Sequence, residues 1–136
     1  MTHSKEAYMP TLVAGVAFIN ENKQVLTIPN RHGSHVFIGG KIETSETPLH
    51  ALIRECGEEL PLAHIKGLWF YRSFSGKNRR GEDIEVYIFT GEVEGDLTPG
   101  GELTDHETKW LGFEEYQGSP IMTEIMAALK TDGFIR

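Results

Sequence analysis

The order of apolar and polar residues along this chain predicts several short strands. Runs rich in β-branched and aromatic residues, bounded by Gly, Pro, Asn or Asp, are typical of strands. Such runs occur at residues 11–19, 24–28, 35–38, 67–75, 83–93 and 108–112. A short polar turn separates the first two runs, and another separates the fourth and fifth, so each pair is predicted to form a hairpin. The segments expected to be connections are residues 61–66 and 94–107.

A helix is predicted at residues 48–60. Thr47 offers a hydroxyl for the N-cap, and Pro48 suits the first helical position, where no N–H is needed. Pro61 ends the helix, because proline has no N–H and disfavours helical angles at the residue before it. Apolar residues spaced three and four apart form one stripe that is expected to face the core, namely Leu49, Leu52, Ile53, Cys56 and Leu60.

A second helix is predicted near the C-terminus, at residues 121–133. Gly133 suits its C-terminal cap, and its apolar face carries Ile121, Ile125, Met126 and Leu129. Strands combined with two helices, one of them between strands, predict a mixed sheet whose faces are covered by helices. The fold class is therefore α/β (α+β), and residues 1–136 are expected to form a single domain.

Composition and charge narrow the range of functions. The formal net charge of −7 argues against a general nucleic-acid-binding surface, which depends on Lys and Arg. An acidic protein can still bind a phosphate compound through a divalent cation. Cys56 is the only cysteine, which excludes an internal disulfide and favours a reducing, cytoplasmic location. The polar N-terminus and the lack of an apolar run of roughly 18 residues predict neither a signal peptide nor a membrane span.

Three glutamates lie close together near the end of the first predicted helix. At about 100° per residue, Glu55, Glu58 and Glu59 share a stripe roughly 120° around from the apolar one. The helix dipole opposes carboxylates at this end, so local electrostatics does not explain them. Oxygen donors on one face suit hard cations such as Mg²⁺ or Mn²⁺. The alternative is an ordinary solvated acidic face.

The residues around these glutamates resemble the signature of the Nudix hydrolases. That signature reads glycine, five residues, glutamate, seven residues, Arg-Glu, an apolar residue, any residue, Glu-Glu, any residue, glycine and an apolar residue. Every polar position is matched, by Gly40, Glu46, Arg54, Glu55, Glu58 and Glu59. A pattern that specifies so many positions is highly specific. Two positions depart from it: Pro61 stands where the family usually has glycine, and Cys56 where it usually has a bulky aliphatic residue.

The resemblance implies a fold, a reaction and a metal site. The fold would be an α/β/α sandwich, with a mixed sheet between helices. The reaction would be metal-dependent hydrolysis of a pyrophosphate bond in a nucleoside diphosphate linked to another group. Mg²⁺ is the expected ion and Mn²⁺ the expected substitute, with ligands from Glu55, Glu58, Glu59 and the carbonyl of Gly40. Arg54 is expected to pair with Glu46 and support the site without touching substrate.

The general base and the substrate contacts are less specified. The base is either one of the signature glutamates or an acid in the later loop, where Glu102 is chosen over Asp105 and Glu107. Gly39 and Gly40 let the backbone approach metal or phosphate closely. Further contacts with substrate are expected from Arg31, His35 and Tyr71. One of Phe70 and Tyr71 could stack on a base, although core packing is the favoured alternative for either. Lys77, Arg79 and Arg80 form either a solvated hairpin tip or a phosphate clamp.

The expected substrate is a nucleoside triphosphate, ordinary or oxidised, which would give a nucleoside monophosphate and pyrophosphate. Within the same family the alternatives are ADP-ribose, sugar nucleotides, dinucleoside polyphosphates and RNA 5′ ends. An alternative of another class is a catalytically silent domain that binds a nucleotide and regulates a partner. Members of the family often form homodimers, and the sequence identifies no interface for one.

Overall fold

A computed structural model describes residues 9–30, 34–101 and 106–136 of the chain. Along these residues the elements are β1 (Thr11–Phe18), β2 (Val25–Pro29), β3 (His35–Val36), β4 (Ile38–Lys41), α1 (Pro48–Glu59), β5 (Ala63–Lys77), β6 (Asp83–Gly95), β7 (Lys109–Leu111) and α2 (Pro120–Thr131). Both predicted helices are confirmed. Each predicted strand has a counterpart, and the run at 35–38 divides into β3 and β4. Neither helix has the length and apolar content of a membrane-spanning segment.

The strands form two sheets. The larger has the order β4-β1-β6-β5 and the smaller β3-β2-β7. The larger sheet is mixed, as predicted, because β1 runs parallel to β6 and antiparallel to β4. The predicted hairpin of β1 with β2 is wrong. Both edges of β1 are already hydrogen-bonded to β4 and β6, so β2 pairs with β3 and β7, and the single bridge Ile19–Val25 remains between the two runs.

The hairpin of β5 and β6 is confirmed and is longer than predicted. Its pairing continues to Ala63 opposite Gly95, so the prediction of a connection at residues 61–66 is wrong from Ala63 onward. The polar residues at 64 and 66 made this part of the strand difficult to predict. They alternate with Ala63 and Ile65, which pack against the buried side of the sheet. Two register shifts interrupt the ladder, between Ile65 and Gly67 and between Phe70 and Arg72.

The two helices cover opposite faces of the larger sheet. Strand β6 shows this alternation, because Phe89 packs in the apolar cluster that contains α1 and Ile88 packs in the cluster that contains α2. The cluster on the α1 side includes Ala51, Leu52 and Cys56 with Val16 and Ile38. The cluster on the α2 side includes Ile121, Ile125, Met126 and Leu129 with Ile84 and Val86. This is the predicted sandwich of a mixed sheet between helices.

Helix α1 begins as predicted, with the hydroxyl of Thr47 accepting a 3.1 Å hydrogen bond from the His50 N–H. Its rotation differs from the prediction. Leu52 is fully buried, but Leu49 and Ile53 are 40% and 51% exposed, so their assignment to the core is wrong. The helix contacts mainly β4 and β1 at one side of the sheet. It is turned so that its glutamate side approaches β4, which leaves the flank with Leu49 and Ile53 uncovered.

Helix α2 ends with the predicted glycine cap. Gly133 has a φ of 83°, its N–H donates to Lys130 O, and the N–H of Phe134 donates to Leu129 O at 2.9 Å. Phe70, on β5, is 57% exposed, and its ring contacts those of Tyr87 and Phe89. Core packing of Phe70 is therefore not what the structure shows, because this part of the sheet face lies beyond the reach of α1.

Candidate active site

The site is built on the two glycines of β4. A Cβ at Gly39 would overlap the carbonyl oxygen of Ala14 on the paired strand, and a Cβ at Gly40 would lie 2.5 Å from the Glu55 carboxyl carbon. Any larger side chain at these positions would separate β4 from β1 or from α1. The glycine pair thus lets the carboxylates of α1 rest directly on strand backbone.

Glu55 and Glu59 lie on the side of α1 that faces β4. The Glu59 carboxyl accepts a 3.4 Å hydrogen bond from the Gly39 N–H and is hydrogen-bonded to Glu55. The Glu55 side chain is 16% exposed, whereas that of Glu58 is 60% exposed and lies 3.6 Å from the Arg54 guanidinium. Two carboxyl groups are therefore enclosed together, and the third stands at the opening of the site.

The environment of Glu59 favours its neutral form. Burial is the largest cause, followed by the hydrogen bond with Glu55, and together they raise the pKa of Glu59 to about 9 despite the opposing Gly39 N–H. In the absence of a cation, the ionised form of Glu59 beside Glu55 is therefore disfavoured. Two acidic groups forced together in this way are typical of sites where a cation compensates the charge.

Arg54 connects the signature residues into one network. Its guanidinium donates to both carboxylate oxygens of Glu46 at 2.8 and 2.9 Å, to Glu55 at 2.8 Å and to the Lys41 carbonyl at 3.0 Å. These bonds to Arg54, together with the Glu43 N–H, hold the pKa of Glu46 at about 2. The geometry makes Arg54 a support for Glu55, since its fork is occupied by Glu46.

The loop after β6 packs on the C-terminal turn of α1. The Gly100 N–H donates to the Glu59 carbonyl at 3.0 Å, and a Cβ at Gly100 would overlap the Glu58 carbonyl oxygen. Pro61 lies against the same glycine, and the Leu60 N–H closes the helix onto Cys56 O at 2.8 Å. Proline in place of the family glycine therefore still permits an orderly helix end, because a second segment satisfies the free carbonyl.

Several predicted contacts lie elsewhere or outside the described residues. Arg31, Glu102 and Asp105 lie outside them. Tyr71 is not brought to the glutamates. It packs in the cluster on the α2 side, contacts Phe134 and donates to the Asp132 carboxylate at the end of α2. The expected role of Tyr71 as a substrate contact is thus corrected to a packing role, because its side chain points to the face opposite α1.

His35 has a defined neighbour in the smaller sheet. Thr27, a fully buried polar residue, donates to the Lys109 carbonyl at 2.9 Å, and its hydroxyl lies 3.3 Å from His35 Nδ1. Since the Thr27 proton is used by that carbonyl, Nδ1 must be the donor to Thr27. Burial and the nearby Lys109 charge lower the pKa of His35, so the ring is neutral near pH 7.

A polar cavity that no sequence motif indicates lies at the N-terminus of α2. Its volume is about 490 Å³, and its lining comes from Ser34, Asn78, Arg79, Gln117, Gly118, Ser119 and Pro120. Arg79 bridges it by donating to the Ser34 hydroxyl at 2.9 Å. Three segments distant in sequence form this cavity, so no local motif could indicate it. The charge of Arg79 was the one available signal.

The residues present fit a hard divalent cation in the chemistry of their donors. All three side chains offer carboxylate oxygens, which Mg²⁺ and Mn²⁺ prefer. In the arrangement described here, no three His, Cys, Asp or Glu side chains of residues 9–30, 34–101 and 106–136 already converge on one point. Glu59 would have to release its proton, and Glu58 would have to turn from Arg54 toward Glu55. A bound cation favours both changes.

Comparison with known proteins gives a consistent relationship. Residues 9–129 match the family model of the NUDIX domain. The chain is 38% identical over 107 residues to "Nudix hydrolase 13, mitochondrial" of Arabidopsis thaliana, a match that covers 70% of this chain and 52% of that protein. The chain thus spans about half the length of that relative.

Solved structures share the fold at low sequence identity. A MutT NUDIX hydrolase from Burkholderia pseudomallei superposes with a TM-score of 0.68 at 18% identity, covering 90% of this chain and 98% of that one. A NUDIX hydrolase from Nitrosomonas europaea gives 0.72 at 12% identity, covering 91% and 90%. The match to the NUDIX domain over most of the chain shows that this protein belongs to the Nudix hydrolase family.

Proposed function

We propose that this protein hydrolyses the pyrophosphate bond of a nucleoside triphosphate, ordinary or oxidised, to a nucleoside monophosphate and pyrophosphate, with a divalent cation. The observation that carries the proposal is the pair of enclosed carboxyls, Glu55 and Glu59, held against the Gly39–Gly40 backbone. Such enclosure beside a second acid disfavours the ionisation of Glu59 and has no benefit for folding alone. It becomes favourable when a cation that also binds phosphates joins the two carboxyls.

The side chains have distinct roles in this proposal. Glu55, Glu58, Glu59 and the carbonyl of Gly40 would hold Mg²⁺ or Mn²⁺, which would supply charge neutralisation for the phosphates and activation of water. Arg54 keeps one carboxylate oxygen of Glu55 hydrogen-bonded, and so orients the other. Glu46 balances the charge of Arg54 and keeps it away from the substrate.

The cavity at the N-terminus of α2 is not assigned to the nucleoside. Ile84 and Ile121 in its wall belong to the cluster on the α2 side of the sheet, opposite the glutamates. Arg31 and His35, which precede the Gly39–Gly40 pair in the sequence, would provide donors for the phosphate oxygens of the substrate.

We assign the general base to Glu102. Support comes from Gly100, whose hydrogen bond to the Glu59 carbonyl brings the chain leading to Glu102 against the C-terminal turn of α1. Glu107, an acid later in the same loop, is exposed.

The first test is turnover across a panel of compounds. Release of phosphate or pyrophosphate is measured with Mg²⁺ and with Mn²⁺ for canonical and oxidised nucleoside triphosphates, ADP-ribose, sugar nucleotides, dinucleoside polyphosphates and triphosphorylated RNA. Glu58→Gln removes one metal-binding charge without changing size. Glu124→Gln, at an exposed position of α2, makes the same chemical change far from the site and is the matched control.

The outcomes separate the proposals. We expect a nucleoside triphosphate to be cleaved with kcat/KM of roughly 10⁴ M⁻¹s⁻¹ or more, and Glu58→Gln to lose about 100-fold or more while Glu124→Gln keeps full activity. Cleavage of another compound on the panel would show that this compound, and not a nucleoside triphosphate, is the substrate. Binding of a nucleotide without any turnover would reject hydrolysis in favour of a regulatory binding domain.

A further inference from the structure

The C-terminal end of α1 is a place where this chain departs from the signature of its family, with Pro61 in place of glycine. A helix commonly ends at a glycine in the left-handed conformation, whose N–H caps a carbonyl of the last turn. Proline has no N–H, and its ring excludes that conformation. The last turn of α1 therefore cannot be capped by residue 61, and its open carbonyls need partners from another segment.

The loop between β6 and β7, the β6–β7 loop, supplies such a partner. The Gly100 N–H donates to the Glu59 carbonyl at 3.0 Å, whereas the Ala63 N–H donates to the Leu60 carbonyl at 3.2 Å. Leu60 has non-helical angles, with a φ of −131° and a ψ of 67°, because a residue before proline avoids the helical region. A segment from beyond β6 thus caps the helix that carries the glutamates.

Gly100 fits closely between the end of α1 and the proline ring. A Cβ at residue 100 would overlap the Glu58 carbonyl oxygen and would lie 3.0 and 3.1 Å from Cδ and Cγ of Pro61. Leu97, in the same loop, packs against the apolar cluster on the α1 side. Its carbonyl accepts a 3.3 Å hydrogen bond from the Thr108 hydroxyl, which joins the two ends of the loop. The loop is therefore held on α1 by several contacts.

This contact joins two parts of the proposed active site. On the helix side is the turn with Glu58 and Glu59, two of the proposed cation ligands. On the loop side, the chain leads from Gly100 to Glu102, the proposed general base. A shift of the loop relative to α1 would therefore change the distance between the cation and the base, and reaction rates depend steeply on such distances.

We propose that Pro61 is a positioning residue. It removes the internal cap of α1, so that the β6–β7 loop becomes the cap and is held at a fixed distance from the metal-binding turn. The effect on the reaction rests on the proposed function, whereas the attachment of the loop does not depend on which compound is cleaved. A glycine at residue 61 would allow α1 to cap itself, and the loop would then be released.

The test compares Pro61→Gly with the matched control Pro120→Gly. Pro120 is an exposed proline at the N-terminus of α2, so both variants gain similar freedom in the unfolded chain. Exchange of the Gly100 amide with solvent is measured by NMR in the presence of chelator. The amide of Val16, a fully buried residue of β1, is the reference for global opening. The kcat of both variants is measured with Mg²⁺ on the compound that the unaltered protein cleaves.

In Pro61→Gly we expect the Gly100 amide to exchange roughly tenfold faster than in Pro120→Gly, the effect of about one hydrogen bond. The Val16 amide should exchange at the same rate in both variants. The kcat of Pro61→Gly should fall by roughly tenfold, because the loop no longer holds the base in place. The kcat of Pro120→Gly should equal that of the unaltered protein.

Two results would overturn the inference. One is equal exchange of the Gly100 amide in the two variants relative to Val16, which is the behaviour of a proline that only stabilises the fold. The other is faster exchange at Gly100 with an unchanged kcat, which would show that the attachment of the loop positions nothing. The proposed function is judged separately, by turnover in the unaltered protein. If no compound is cleaved, hydrolysis is rejected, and exchange at Gly100 alone decides whether Pro61 fixes the loop on α1.

Discussion

Glu59 is a residue whose ionisation the fold opposes. Its carboxyl has an ordinary pKa of 4.5, and in the folded chain burial and Glu55 raise this to about 9. Between these two values the folded state binds more protons than the unfolded state. The free energy of unfolding of the metal-free protein must therefore fall as the pH rises from about 5 to about 9.

Replacing Glu59 by Gln tests this directly, because Gln resembles the protonated acid. With chelator present at pH 8, we expect Glu59→Gln to be more stable than the unaltered protein by about 1–3 kcal/mol, several degrees in Tm. Its stability should also vary less with pH. Added Mg²⁺ should stabilise the unaltered protein and leave the variant nearly unaffected. Equal pH dependence of the two proteins in thermal unfolding would contradict the burial of an acid at this position.

Arg54 positions Glu55 through the forked shape of its guanidinium as well as through its charge. Its fork meets Glu46 with two bonds and Glu55 with a third, a geometry that the single ammonium of Lys does not reproduce. We expect Arg54→Lys to lower kcat/KM by about 10–100-fold and to raise the Mg²⁺ concentration needed for half-maximal rate. Arg80→Lys, at the exposed hairpin tip, should behave as the unaltered protein, and equal activity of both variants would show that Arg54 is not a positioning residue.

At the scale of elements, α1 was predictable in extent but not in rotation. Thr47, Pro48 and Pro61 are local signals, and local hydrogen bonding and proline geometry determine where a helix begins and ends. The side of the helix that becomes buried depends on what it packs against. Leu49 and Ile53 have the spacing of core residues, but the contact with the glycines of β4 draws Glu55 and Glu59 inward instead.

The contact between α1 and β4 predicts opposite effects for two glycines. Gly40→Ala would place a Cβ 2.5 Å from the Glu55 carboxyl, whereas a Cβ at Gly57 in the same helix meets no atom within 4 Å. We expect Gly40→Ala to lower kcat about 100-fold or more, as Glu55 is displaced by an ångström or so. Gly57→Ala should keep activity and gain roughly 0.5–1 kcal/mol in stability, from helix propensity. Steady-state kinetics and thermal unfolding of both proteins check this pair.

At the scale of the whole molecule, the site depends on a loop that reaches α1 from beyond β6. Gly100 makes this contact with the Glu59 carbonyl, where a Cβ would overlap the Glu58 carbonyl oxygen. We expect Gly100→Ala to lower kcat by roughly tenfold or more while the protein stays folded and still binds Mg²⁺, because the loop with the proposed base is displaced. If Gly100→Ala has full activity, Glu102 is not the base, and the signature glutamates are the remaining candidates.

The sequence by itself determined the parts of this protein that depend on neighbouring residues. These are the extent of the two helices, their caps at Thr47 and Gly133, the hairpin of β5 and β6, and the spacing that placed Arg54, Glu55, Glu58 and Glu59 on one helix. Each follows from the periodicity of a helix or strand, or from the fixed geometry of proline and glycine. Such properties can be predicted from a short segment of the sequence.

Only the tertiary structure decided how distant segments meet. Strand β2 pairs in a second sheet, because both edges of β1 are hydrogen-bonded to β4 and β6. Tyr71 packs on the α2 side of the sheet, away from the glutamates. Three separate segments form the cavity at the N-terminus of α2. The ionisation of Glu59 also belongs here, since burial and the Glu55 carboxyl raise its pKa only after α1 has packed on β4. These features arise from packing between residues far apart in the chain, and no local pattern carries that information.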